Sequence, residues 1–414
     1  MKSLLCALAL AVQPLAAQAT LSIDGRTSAN PSIAARGQFV VVAWSAAATS
    51  AMDIYAAASR DGGVTFSAPV RVNAVAGEAR VNGELPPRVA LVPGKGATPS
   101  VVVVWTAKSG SSTRLLSATS KDGARTFGAS VVVPGSDGEG SRGWQSVAVG
   151  PTGRVYVLWL DHRESASAGA MHHQDGAMPA MPAAKADPTE RASLSQLYFS
   201  SLDGVAPVKV TRSVCYCCKT SLASDGRNVY AAWRHVYPGS QRDIAFSMSR
   251  DEGRTFSAPL RVSDDHWQID GCPENGPALA VDKEHRVHVA WPTPKDGKDA
   301  STLALYYAVS GDGRAFSTRA EIPSHGPASH VQMIIGSDGN PLVAWDEIVR
   351  GSRRMALARM QTNGDKRTFT PVDIADAGQG TWYPVLAVAG ANTVVAWVRQ
   401  SDKGGTIGIA RVHP

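Results

Sequence analysis

A phrase that recurs seven times constrains this chain most: an apolar, largely β-branched run closed by tryptophan. It reads VVVAW at Trp44, VVVVW at Trp105, VYVLW at Trp159, VYAAW at Trp233, VHVAW at Trp291, PLVAW at Trp345 and TVVAW at Trp397. Successive tryptophans stand 61, 54, 74, 58, 54 and 52 residues apart, a period that accommodates four short strands and their turns. The order within each copy is similar: an apolar strand such as PSIAA or PALAV, a Gly/Asp turn, the tryptophan-ended strand, a variable loop, then strands such as DIYAAAS and VRVN. Four antiparallel strands per copy make one blade, so the expected fold class is all-β, a seven-bladed β-propeller. The seventh copy stops one strand short, and TLSID at residues 20–24 is expected to supply that strand and close the ring.

A second phrase sits between the third and fourth strands. Ser59, Asp61, Gly63, Thr65 and Phe66, and again Ser249, Asp251, Gly253, Thr255 and Phe256, satisfy Ser-x-Asp-x-Gly-x-Thr-aromatic in full. Ser120 to Phe127 carries Ala124 where glycine is expected, and Ser310 to Phe316 is one residue shorter. The physical reading is a tight turn in which a carboxylate accepts backbone N–H groups, glycine adopts positive φ and the aromatic ring plugs the blade. This pattern resembles the Asp-box, or BNR, repeat of sialidase-like β-propellers. That resemblance implies fold first, with a six-bladed ring as the alternative to seven, because such turns are structural and the fold hosts many functions.

The resemblance also implies a test for sialidase chemistry. Such enzymes hold a substrate carboxylate with three arginines, one in an Arg-Ile-Pro motif leading into the first blade. Here that place reads Ala29-Asn30-Pro31-Ser32-Ile33, without arginine. Arg88 and Arg234 fall on the appropriate face, and Tyr383 with Glu274 is the nearest match to a nucleophile pair, with no motif to fix those roles. Exo-α-sialidase-like glycoside hydrolysis therefore stands as an alternative function.

The opening MKSLLCALALAVQPLAAQA has an early cation, a short apolar run and Ala17-Gln18-Ala19, the pattern of a cleaved secretory signal over residues 1–19. A single propeller domain over 20–414 is then expected in the periplasm or secreted, with no later run long enough to span a membrane. The formal charge of +6 is dispersed without a Lys/Arg block, which gives nucleic-acid binding no support.

Seven segments lead into the inner strands and should meet around the central axis at one face. Every cysteine after the signal falls in this class: Cys215, Cys217 and Cys218 before blade four, Cys272 before blade five; His330 precedes blade six. The loop after Trp159 faces the same way and is stretched by an insertion at about 164–190 containing Met171, His172, His173, Met178 and Met181. Thiolate, thioether and imidazole together favour copper, especially Cu(I). The spacing C-x-C-C is no zinc-finger pattern, so zinc ranks below copper. The competing reading is structural, with a disulfide tying one of the three clustered cysteines to Cys272, since a vicinal Cys217–Cys218 bond is strained. CYCCKTSLASDG together with DGCPENGPALAVD is also similar to a pairing in uncharacterised exported BNR-repeat proteins, which carries no established activity. The expected function is copper storage, chaperoning or delivery, with a metal ion and another exported copper protein as partners. The alternatives are the hydrolase and a structural or protein-interaction propeller with disulfide-bonded cysteines.

Overall fold

A computed structural model of the chain describes residues 19–413 apart from 95, 97, 165–191, 205, 270, 272, 364–365, 375–376 and 403. The strands form seven separate four-stranded antiparallel sheets. Their inner strands are Thr27–Arg36, Arg88–Val92, Arg142–Val149, Ser221–Asp225, Ala278–Val281, Ala328–Ile335 and Thr381–Ala389. Each contacts the inner strand of the blades before and after it, and the seventh meets the first, so the ring closes. Blade seven is completed by Ala19–Leu21, which pairs with Gly404–Val412 in the register Thr20 to Gly408. Seven blades and closure by the first strand are as the repeat predicts.

Why the tryptophan-ended strands lack the polar–apolar alternation of an exposed sheet is clear from blade one. Val41 and Ala43 pack with Val101, Val103 and Trp105 of blade two. Val40, Val42 and Trp44, on the other face of the same strand, pack with Val394 and Ala396 of blade seven. Both faces of the strand are buried, and a continuous apolar run results. All seven repeat tryptophans are buried, none more than 2% exposed. Removing roughly 200 Å² of each from water contributes about 5 kcal/mol apiece as an upper figure.

The Asp-box turns hold as their chemistry requires. Asp61 Oδ1 accepts the N–H groups of Val64 and Thr65 at 3.0 and 2.9 Å, its Oδ2 accepts the Thr65 hydroxyl, and Ser59 Oγ accepts Gly63 N–H at 2.8 Å. Asp251 and Ser249 repeat the bonds to Thr255 and Gly253. Gly63 and Gly253 take φ of 89° and 88°, and Ala124 is forced to 67° at the equivalent place. Phe256 packs edge-on against Phe199, with ring centroids 5.1 Å apart.

At the opposite face the inner strands divide into two classes. In blades one, three, six and seven a bulge places two residues opposite one: Asn30-Pro31 against Trp44, Trp144-Gln145 against Trp159, His330-Val331 against Trp345, and Tyr383-Pro384 against Trp397. The first residue of each pair has positive φ, 54°, 53°, 54° and 51° respectively. Bulges bend a strand and re-aim its side chains. In blades two, four and five the inner strand begins beyond this point, at Arg88, Ser221 and Ala278, and irregular segments lead in. Those three segments make the site.

Candidate functional site

The segment before blade four is folded inward. Cys215 N–H donates to Arg234 O at 2.8 Å, Val236 N–H to Ser213 O at 2.8 Å, and Thr220 N–H to Trp144 O at 3.2 Å. Cys215, Cys217 and Cys218 are buried, at 1%, 5% and 2% exposure, and their sulfurs lie within 4.8 Å of one another. Cys215 Sγ is 3.9 Å from Cys217 Sγ and accepts the Cys218 S–H at 3.6 Å. Arg242 Nη1 donates to Cys215 Sγ at 3.2 Å. The Cys218 hydrogen bond, and then the positive charges of Arg242 and Arg234, hold the Cys215 thiol down at about 6, against the opposing effect of burial. Burial, and then the Cys215 sulfur, push Cys218 up. Cys217 is disulfide-bonded, while Cys215 and Cys218 are free.

A carboxylate ties the three irregular segments together. Glu84, before blade two, accepts the backbone N–H groups of Lys219, before blade four, and of Gly276, before blade five, both at 2.9 Å through Oε2. Lys219 Nζ donates to the carbonyls of Gly276 and Pro277 at 3.2 and 2.6 Å. Burial draws that ammonium down to about 8, with the Glu84 carboxylate pulling the other way. The turn carrying Glu84 is clasped by Asn82 N–H to Leu85 O and Leu85 N–H to Asn82 O. Leu85 packs with Trp144 and the three cysteines, and the backbone of Gly83 meets the Tyr383 hydroxyl so closely that a Cβ there would lie 1.9 Å from it. The sulfurs thus lie beneath a turn contributed by a distant blade.

The other expected site residues are placed as follows. His330 Nδ1 is bonded to Asp346 Oδ2 at 2.8 Å, its ring faces Tyr383 at 4.2 Å, and its N–H reaches Asn275 Oδ1 at 3.2 Å. Its ring nitrogens do not join the sulfur cluster. Cys272, Met171, His172, His173, Met178 and Met181 lie outside the described residues. His235, across a backbone bridge from Val214, accepts the Trp233 indole N–H at 3.2 Å, and burial draws it down to about 4. The guanidinium of Arg234 is consumed by three carbonyls, those of Asn275, Arg242 and Pro292, and Arg88 Nε donates to Gln145 O. Glu274 reaches solvent with φ of 46°; desolvation, and then the Glu84 charge, raise its carboxyl above the ordinary range. Sequence reasoning missed Glu84, Lys219 and Arg242. Only Lys219 carried a signal, its adjacency to Cys218.

No protein-family model matches the chain, and no curated protein matches it in sequence. Solved structures do match its shape. The α-L-arabinanase of Penicillium chrysogenum complexed with arabinobiose aligns with a TM-score of 0.52 at 11% identity, over 95% of this chain and 98% of that one. The GH93 α-L-arabinofuranosidase of Fusarium graminearum with arabinobiose gives 0.53 at 12%, over 96% and 97%. A protein of unknown function from Dyadobacter fermentans gives 0.50 at 11%, over 96% and 97%. What they share with this chain is the propeller. At such identity the likeness carries fold and no residue roles.

Proposed function

We propose that the chain binds a soft cation, copper as Cu(I), at the buried sulfur site, and stores, chaperones or delivers it as an exported, periplasmic protein. The observation that carries this reading is the convergence of three buried sulfurs within 4.8 Å on one short segment. The donor set fits: thiolate sulfur is soft, and Arg242 beside Cys215 favours the deprotonated form that a metal requires. Cys215 and Cys218 are the free thiols, and reduction of the Cys217 disulfide adds the third sulfur. Cys272 would be a fourth donor, and the Met171 to Met181 loop, with His172 and His173, would capture or relay the ion. The bound cation supplies no reaction of its own here; the chain's residues shield it under the Glu84 turn. The deciding measurement is the metal content of reduced protein from the exported fraction. Stoichiometric copper, lost in Cys217→Ser and Cys218→Ser, supports the site. No copper retained under reducing conditions sinks it.

Glycoside hydrolysis is the second reading. It is favoured by the solvent-facing Glu274 with a raised carboxyl, next to Glu84 and Tyr383 at the mouth of a propeller shaped like that of the arabinobiose-bound enzymes. Its test is turnover of fluorogenic arabinofuranosides and sialosides.

A further inference from the structure

The hairpin that follows the tryptophan-ended strand of blade six carries three arginines within five residues, Arg350-Gly351-Ser352-Arg353-Arg354. Its strands, Pro341–Val349 and Ser352–Asn363, are joined by a two-residue turn with φ of 51° at Arg350 and 76° at Gly351. Alternation along the second strand sends Arg353 to one face and Ser352 and Arg354 to the other. Arg353 Nη1 donates to the buried Asp346. Arg354 gives its Nε and Nη2 to Glu347 Oε1 at 3.1 and 2.9 Å, while Glu347 Oε2 accepts His325 N–H at 2.8 Å and the Trp345 indole N–H at 3.2 Å. Both oxygens of that fully buried carboxylate are thus occupied, and Arg350 has no hydrogen bond or ion pair among the described residues. Asp346 and Glu347 balance Arg353 and Arg354, which leaves the charge of Arg350 uncompensated.

That charge borders a cavity of about 480 Å³ between the hairpin and the segments leading into blades six and seven. Its polar lining is His325, Arg350, Ser352, Arg354 and Gln379, with Val349 and Ala377 as apolar wall, and no carboxylate is among the described lining residues. Backbone bonds fix the walls. Ile348 N–H to Pro327 O at 3.1 Å joins the hairpin to the lead-in of blade six, and Gly380 N–H to Arg353 O at 3.0 Å joins it to that of blade seven. Gly326 approaches so closely that a Cβ there would stand 2.0 Å from Ile348 O. We propose that this cavity binds a small organic molecule bearing an oxyanion, a carboxylate or a phosphate. The Arg350 guanidinium offers a planar fork of N–H donors matched to two oxygens of such a group. Ser352 and Gln379 add neutral donors for the same group or its substituents. The volume is that of a site for a small molecule and not for a bare ion, so the ligand carries a short carbon skeleton against Val349 and Ala377. An asparagine at position 350 would suit the turn better, since both central residues have positive φ, so the turn by itself does not call for arginine. The site draws on no residue of the sulfur cluster and does not depend on the copper reading.

The test is isothermal titration calorimetry on the full chain in a buffer of low ionic strength, with succinate, glycerol 3-phosphate and glycerol as probes. One or both anions are expected to bind saturably and glycerol is not. Binding of succinate alone assigns a carboxylate ligand, and binding of glycerol 3-phosphate alone a phosphate. Arg350→Asn, which keeps a residue suited to the turn, is expected to weaken the bound anion at least about tenfold without lowering the melting temperature. Arg125→Ala removes an exposed arginine from the Asp-box turn of blade two and is expected to leave affinity within about twofold. No saturable binding of either anion below about 10 mM overturns the proposal, as does glycerol binding equally well. Affinity unchanged in Arg350→Asn, or weakened as much by Arg125→Ala, overturns it too. Should Arg350→Asn fail to fold, the exposed Gln379→Ala is expected to weaken binding about threefold or more, and an unchanged affinity there counts against the site.

Discussion

The carboxylate of Glu84 accepts the backbone N–H of Lys219 at 2.9 Å across 135 residues of sequence. The same oxygen takes Gly276 N–H, so one side chain satisfies two buried backbone donors from two blades. Glu84→Ala strands both and should cost about 2–4 kcal/mol in urea unfolding. It should also speed the labelling of Cys218 in folded protein, since the covering turn loses its anchor. A loss under about 0.5 kcal/mol would show that the turn is held by Leu85 packing alone.

Acid should unpick the Asp-box turns late. Hydrogen bonds from Ser59 and Thr65 outweigh desolvation and hold Asp61 down at about 2, from an ordinary 3.8, and Asp251 behaves alike. A carboxylate depressed on folding stabilises fully above its unfolded value, and that contribution is lost as pH falls through the folded value. Melting temperature followed from pH 5 to pH 2 should therefore fall less steeply in Asp61→Asn than in the parent below about pH 4, while Asp61→Asn is the less stable at neutral pH. Parallel curves would count against the turn as the source.

Two glycines separate the cost of backbone strain from that of crowding. Gly226 has φ of 56° with open space around it, whereas at Gly253, φ 88°, a Cβ would sit 2.0 Å from the Phe199 ring. Gly226→Ala should cost about 1 kcal/mol and Gly253→Ala about 3 kcal/mol or more in urea unfolding. Equal losses would mean that the Phe199 ring yields.

Sialoside turnover is predicted to be absent, because Arg234 is buried and each of its three nitrogens is bonded to a carbonyl, those of Asn275, Arg242 and Pro292, which holds it away from a substrate carboxylate. A fluorogenic sialoside assay checks this. Hydrolysis abolished by Tyr383→Phe would reverse the ranking of the two functional readings.

The ring was legible in the chain because a strand buried on both faces must be apolar throughout, and the VVVAW-type phrase records that requirement seven times. The clustered cysteines were legible as neighbours for the plainer reason that they adjoin in sequence. Their surroundings were not. Glu84 sits in an ordinary VNGELPP stretch, and its partners are backbone amides, which leave no mark on composition. Arg242 reaches Cys215 only through the strand-to-strand return of blade four, so neither spacing nor motif announces the pair. Nor could spacing choose which of the three cysteines is bridged; the structure bonds Cys217 and leaves Cys215 and Cys218 as thiols.

The four bulges facing the repeat tryptophans carry asparagine, tryptophan, histidine and tyrosine at one and the same backbone position. Since the main chain makes the bend, the residue displayed there is interchangeable in a way that the strands are not. A ring of this kind can vary what it displays at its mouth from blade to blade, and each displayed residue brings its own contacts: Trp144 packs with Leu85, and Asn30 donates to Ser45 Oγ. Blades two, four and five, where the bulge gives way to irregular lead-in segments, are where this chain places its clustered cysteines and the Glu84 carboxylate that ties their segment to its neighbours.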